Sequence, residues 1–70
     1  MKKPYIIGLK FGTWRNELWF SAEDDKETEE KWNKAVAELN TVGEKCTNSN
    51  EFLSEAVDYL EERGFSRIQR

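Results

Sequence analysis

Residues 5–12, Tyr-Ile-Ile-Gly-Leu-Lys-Phe-Gly, decide the fold because their side chains alternate between two faces. An alternation that gathers aliphatic and aromatic residues on one face predicts a half-buried strand. That face consists of Tyr5, Ile7, Leu9 and Phe11. A second strand is predicted at residues 17–21, with Leu18 and Phe20 inward and Trp19 outward. Residues 12–16 would form the hairpin connection between the two strands.

The residues after this hairpin predict a first helix. Ser21 is a candidate N-cap, because a serine hydroxyl accepts a backbone N–H in the first helical turn. Apolar residues then recur at spacings of three and four from Trp32 to Val42, which forms one apolar stripe. Gly43 is a natural helix end, and residues 44–50 would be a polar connector.

A second helix is predicted to begin at Asn48, which with Glu51 three residues later resembles a capping box. It ends before Gly64, which fits the left-handed position that closes a Schellman motif. In that motif Phe65 and Leu60 are the residues expected to touch.

Residues 65–69 can form a short third strand, with Ile68 inward and Arg67 outward. The sequence therefore predicts one α+β domain over residues 1–70, in the order β-β-α-α-β. An antiparallel hairpin and a short C-terminal strand form the sheet, and two helices pack on one of its faces. The predicted core consists of Ile7, Leu9, Phe11, Leu18, Phe20, Trp32, Val36, Leu39, Leu53, Val57, Leu60 and Ile68.

The composition favours a soluble protein of the cytoplasm. The lone Cys46 contrasts with the several disulfides of most small secreted domains. The apolar stretch near the N-terminus is broken by Gly8 and Lys10, which argues against a signal peptide. No stretch approaches the ~20 apolar residues that cross a membrane.

Catalysis is not expected, because the chain contains no histidine. The commonest general acid-base group and the commonest metal ligand are therefore both missing. No glycine-rich phosphate loop is present, and no cofactor or metal is expected. Cys46 lies in a polar stretch without a partner cysteine, so we interpret it as an incidental thiol.

Charge is divided by segment. Residues 1–20 carry a net charge of +3, residues 21–62 of −9 and residues 63–70 of +3, within a chain of net charge −3. We expect acidic helix faces opposite a mildly basic sheet. Such faces could imitate nucleic acid and bind a basic, nucleic-acid-handling protein, or could simply keep a small domain soluble. The candidate acids are Glu23, Asp24, Asp25, Glu27, Glu30, Glu55, Asp58 and Glu62.

Two alternatives use the sheet. Aromatic rings among cations can hold a single nucleic-acid strand by stacking and phosphate contacts. The candidates for this surface are Lys10, Trp14, Arg15, Trp19 and Arg67. Trp19 could instead cover a glycine across the strands, and Trp14 near the turn could be an exposed hot spot or fold back over the hairpin. A third possibility is assembly through an exposed strand edge.

In its small size, its acidity and its lack of histidine, the chain is similar to small accessory proteins of phages and mobile elements. Several of those proteins inhibit host nucleic-acid enzymes by direct binding. The resemblance implies an inhibitor that acts in the cytoplasm of a bacterial or phage-infected cell, and it rests on size and charge rather than on a motif.

Overall fold

The computed structural model describes residues 1–68 and confirms the predicted α+β architecture. Its elements are β1 (Lys2–Phe11), β2 (Trp14–Glu23), α1 (Lys26–Lys45), α2 (Ser49–Glu62) and β3 (Ser66–Arg67). The strands form one antiparallel sheet in the order β1-β2-β3. Both helices cover the face predicted to be buried, and the opposite face of the sheet is open.

The hairpin is longer and its turn tighter than the sequence predicted. Phe11 pairs directly with Trp14, so the turn consists of Gly12 and Thr13 rather than of residues 12–16. Gly12 has φ of +62°, as the first central residue of a type II′ turn requires. The pairing continues without interruption to the opposite ends of both strands.

The predicted start of α1 at Ser21 is wrong, because β2 continues to Glu23. Ala22 extends the inward alternation of Leu18 and Phe20, and it is buried against the helices. The N-cap is Asp25 instead, whose carboxylate accepts the Thr28 N–H at 2.7 Å.

The predicted end of α1 at Gly43 is also wrong, because the helix continues to Lys45. A Cβ atom on Gly43 would lie 2.9 Å from Cζ of Phe52 in α2. The glycine therefore allows the two helices to approach closely and does not terminate α1. Cys46 closes the helix, and its N–H donates to the Gly43 carbonyl at 3.3 Å.

The second helix has the predicted N-cap. The Asn48 side chain accepts the Glu51 N–H at 2.8 Å. The Glu51 carboxylate accepts a hydrogen bond from the Thr47 hydroxyl at 2.8 Å, a contact that differs from the return bond of a capping box.

The predicted Schellman ending of α2 is confirmed. Gly64 has φ of +93°, and its N–H donates to the Glu61 carbonyl at 3.1 Å. The Phe65 N–H donates to the Leu60 carbonyl, also at 3.1 Å. These two bonds define the motif.

The predicted orientation of the third strand is wrong. Arg67 pairs with Phe20, so it lies on the helix side of the sheet. The Ile68 N–H donates to the Trp19 carbonyl at 2.8 Å, which places Ile68 on the open face. The reason is that Phe65 is buried and takes the inward position, which fixes the alternation after it. Gln69 lies outside the described residues.

The buried core differs from the predicted one, because the side of α2 that faces the sheet is not the side that was predicted to do so. Phe52, Ala56 and Leu60 point inward, whereas Leu53 and Val57 are half-buried. Phe11, Val36 and Ile68 are also only half-buried. The buried residues are Tyr5, Ile7, Leu9, Leu18, Phe20, Ala22, Trp32, Ala35, Leu39, Phe52, Ala56, Leu60 and Phe65.

We predict that Gly43→Ala destabilises the protein by about 1–2 kcal/mol, because the added methyl group displaces the buried Phe52 ring. At an exposed helical position the same exchange would be stabilising. Urea unfolding should show the loss. Thr41→Ala, at an exposed position of the same helix, is the control and should change stability by less than about 0.5 kcal/mol. Unchanged stability in Gly43→Ala would contradict the close contact.

Candidate binding surfaces

Three of the candidate acids lie between the body of β2 and α1 and make contacts within the chain. Glu23 pairs with the N-terminal ammonium group at 3.0 Å, and Asp24 pairs with Lys3 at 3.4 Å. Asp25 caps α1, and the hydrogen bond from the Thr28 N–H lowers the pKa of its carboxyl group. These contacts fix the chain where it passes from β2 to α1, so the three acids have a structural explanation.

The surface of α1 is mixed in charge. The helix contains five acids and four lysines. Glu27 lies 3.9 Å from Lys31 on the next turn, and Glu30 is exposed on the same mixed helix. The prediction of two acidic helices therefore does not describe α1, whose cations offset most of its acids.

The acidic surface belongs to α2, which contains five acids and neither lysine nor arginine. Glu55, Asp58 and Glu62 were candidates from the sequence. Glu51 precedes them, and the four positions follow one another at spacings of four, three and four. At about 100° per residue they fall within an arc of about 60° on one side of the helix. We call Glu51, Glu55, Asp58 and Glu62 the acidic stripe. Its spacing in the sequence is the signal that would have added Glu51.

The stability of α2 explains Glu51, which stands in the first turn and accepts a hydrogen bond from Thr47, but it does not explain the rest of the acidic stripe. Within residues 1–68, no ion pair involves any of its four carboxylates. Like charges four residues apart destabilise a helix by about 0.2–0.5 kcal/mol a pair. Glu62 stands in the last turn, at the negative end of the helix dipole. The nearby cation Arg63 is directed elsewhere, over the Tyr59 ring at 3.5 Å and toward Glu38 at 3.9 Å.

The open face of the sheet carries an apolar row across its strands. Ile6 is paired with Trp19, and Ile68 follows on β3. Ile6 is 48% exposed, whereas the other two are half-buried. The Trp19 indole N–H donates to the Glu17 carboxylate at 2.8 Å. The sequence analysis placed Ile68 in the core, on the other face of the sheet, and did not name Ile6 as a binding residue.

The structure brings together only part of the predicted sheet surface. Lys10 and Arg15 are paired with each other on the open face, which they share with Trp19. Repulsion between their like charges lowers the stability of the sheet at this pair. Arg67 lies on the helix side of the sheet. Trp14 pairs with Phe11 on the helix side of the sheet, where it is half-buried and packs against the core.

Neither a reactive thiol nor a metal site is evident in the described part of the chain. Partial burial and the carboxylates of Glu51 and Glu55 raise the pKa of the Cys46 thiol, so it is protonated at neutral pH. The thiol donates to the Val42 carbonyl at 3.4 Å. Residues 1–68 hold no group of three side chains that could bind a metal ion, and neither of their helices is long and apolar enough to cross a membrane.

In comparisons with known proteins, the chain matches no protein-family model, no curated protein and no solved structure. Surface geometry and charge are therefore the observations that bear on its function.

We predict that the cap at Asp25 makes stability depend on acidic pH. Since its pKa is lowered on folding, its contribution is present above the ordinary aspartate pKa and is lost as the pH falls through the lowered value. Asp25→Asn keeps the cap without the charge. Below about pH 5, the urea midpoint of the original chain should fall more steeply than that of Asp25→Asn. Asp25→Ala should lower the midpoint already at neutral pH. Parallel pH profiles for the original chain and Asp25→Asn would contradict this role.

Proposed function

We propose that the protein is a non-enzymatic binding module whose acidic stripe docks on a basic surface of a partner protein. The observation that supports this proposal is the stripe itself: four carboxylates on one side of α2 without a cation in that helix. All four residues are exposed. The arrangement of Glu55, Asp58 and Glu62 lowers the stability of the helix, which is understandable if a partner supplies the missing positive charge.

The chemistry of the stripe indicates what the partner presents. Successive carboxylates rise by about 4.5–6 Å along the helix axis, at 1.5 Å per residue. Arginine side chains bind carboxylates through two parallel hydrogen bonds, and lysines bind them as point charges. A row of such cations is typical of the grooves that hold nucleic-acid backbones. We therefore propose a nucleic-acid-handling protein as the partner and occupation of its groove, hence inhibition, as the consequence.

The proposed association depends on long-range electrostatic attraction. Exposed charges of one sign raise the association rate, and salt screens this effect. We place the encounter in the cytoplasm, because the lone thiol of Cys46 suits a reducing compartment.

Direct nucleic-acid binding is the second candidate, and the apolar row beside Lys10 and Arg15 favours it. Two acids, Glu17 and Glu23, lie on the same open face as three cations, so the face offers little net attraction for phosphate. Glu17 also holds the Trp19 indole N–H, which places a carboxylate beside the ring that would stack. Protein binding through α2 is therefore the better supported proposal.

A double charge reversal tests the acidic stripe. The tagged chain is used for affinity purification from its native cells, in parallel with Glu55→Lys/Asp58→Lys. The control is Glu27→Lys/Glu30→Lys, which changes the net charge equally but lies on the mixed surface of α1. We predict that one or more basic proteins are recovered with the original chain and the control. Their recovery should fall at least tenfold with the α2 variant, a loss of about 1.4 kcal/mol or more in binding.

Equal recovery with all three chains, each shown to be folded by circular dichroism, would overturn the proposal. Tryptophan fluorescence during addition of single-stranded oligonucleotide at low salt distinguishes the second candidate. Quenching that fades as salt rises would favour nucleic acid bound on the sheet. Because the α2 substitutions lie on the opposite side of the domain from the open face, they would leave that signal intact.

A further inference from the structure

One edge of the sheet is a long strand whose outer side is unpaired. β1 forms the edge of the sheet, and no described strand pairs along its outer side. Its register with β2 runs from Lys2 to Phe11 without a bulge. Unpaired backbone groups on such an edge invite another strand, and proteins shorten, bulge or cover the edge or place Pro and Lys on it. Pro4 and Lys10 are such residues in β1, so they restrict which strands can pair there.

The hydrogen bonds show which backbone groups point outward. The Asp24 N–H donates to the Met1 carbonyl at 2.8 Å, so these two residues form a hydrogen-bonded pair. In an antiparallel ladder such pairs alternate with non-bonded ones. Continuing the register from this pair leaves the N–H and C=O groups of the even-numbered residues of β1 directed away from β2.

The position of Pro4 independently agrees with this assignment. Proline has no N–H group, and within a sheet it is tolerated where that group would point away from the neighbouring strand. Pro4 also limits the usable edge, because it lacks a donor. The outward groups that can pair with an added strand at both donor and acceptor are therefore those of Ile6, Gly8 and Lys10.

A groove of about 370 Å³ lies beside this edge, between β1 and α1. Its apolar lining includes Leu9, Phe11 and Val36, and Gly43 also lies along it. A strand added to β1 would direct every second side chain toward the helices and into this groove. Because much of this lining is apolar, uncharged side chains suit these inward positions.

The charges of β1 select the kind of strand that fits. β1 contains Lys2, Lys3 and Lys10 and no acid. Of these, Lys10 lies within the usable edge, whereas Lys3 is engaged by Asp24 and Glu29. A second copy of the chain would bring the same lysine and no acid to that edge, so its charges do not favour self-pairing. An incoming strand with acids on its outward positions would instead place a carboxylate beside Lys10 as a cross-strand pair.

We propose that the Ile6–Lys10 edge of β1 binds an extended acidic segment of a partner protein by β-strand addition. The segment pairs with the backbone of Ile6, Gly8 and Lys10, inserts apolar side chains into the groove, and presents acids near Lys10. This surface is distinct from the acidic stripe, so either proposal can fail without the other.

Amide hydrogen exchange with a defined peptide tests the proposal. The probe is the blocked peptide acetyl-Glu-Val-Glu-Val-Glu-Val-Glu-amide. Paired antiparallel to β1, it places its glutamates opposite Ile6, Gly8 and Lys10, where their backbone groups bond to the edge. In the ¹⁵N-labelled full chain, the amides of Ile6, Gly8 and Lys10 should exchange at least tenfold more slowly with the peptide present. The amides of Ile7 and Leu9, already bonded to β2, serve as internal controls and should be unaffected.

Two substitutions at one position provide a matched pair. Gly8→Pro removes the central outward donor and should weaken peptide binding at least tenfold. Gly8→Ala retains that donor, and its Cβ would meet no atom within 4 Å, so it should bind like the original chain. If Gly8→Pro does not fold, the peptide N-methylated at its two central glutamates replaces it. That peptide lacks the corresponding donors and should bind at least tenfold more weakly to the original chain.

Charge selectivity is measured with the same peptide in which lysine replaces every glutamate, and we expect at least tenfold weaker binding.

Three results would overturn the proposal. One is the absence of protection at millimolar acidic peptide, and another is equal binding of the acidic and lysine peptides. The third is protection of the edge amides without peptide, together with a doubled mass in solution, since it would assign the edge to a second copy.

Discussion

The indole ring of Trp32 joins α1 to all three strands, and the rest of the structure depends on it. Its centroid lies 5.3 Å from that of Tyr5 in β1, 5.8 Å from Phe20 in β2 and 5.0 Å from Phe65 beside β3. Aromatic pairs of this kind contribute about 0.5–1.5 kcal/mol each beyond the burial of their surface. A domain of this size buries only about 60% of the surface that its unfolded chain exposes. One well-packed ring can therefore determine how the helical layer sits on the sheet.

The Schellman ending of α2 connects this aromatic cluster to the open face of the sheet and to the acidic stripe. Gly64 turns the chain so that Phe65 enters the cluster and contacts Tyr5 as well as Trp32. The burial of Phe65 sets the alternation of β3 and thereby places Ile68 on the open face. The same ending anchors the last turn of α2, whose buried side faces the sheet and whose acidic stripe faces outward. The orientation of the stripe is thus a consequence of how the core closes.

Local signals in the sequence predicted the element order, the cap at Asn48 and the ending at Gly64, because each depends on neighbouring residues. The incorrect predictions concern features that are determined by contacts between residues far apart in the sequence. Gly43 was predicted to end α1. It instead provides the space that Phe52 occupies, and no pattern in the neighbouring residues indicates that contact. Ser21 was predicted to be the N-cap of α1, but the pairing with β1 extends β2 beyond Ser21. The segment charges were visible in the sequence, but the contacts that engage Glu23, Asp24 and Asp25 were not, since they depend on how the chain folds between β2 and α1.

The two proposed surfaces can act independently because of their separation. The acidic stripe and the buried side of α2 lie on opposite sides of a helix about 10–12 Å in diameter, and the edge of β1 lies beyond that buried side. At physiological ionic strength the Debye length is about 8 Å, so exposed charges this far apart interact weakly. The stripe therefore neither neutralises the lysines of β1 nor repels an acidic strand bound there. A domain with one acidic and one basic docking surface could hold two partners of opposite charge at once, which a uniformly charged domain of this size could not do.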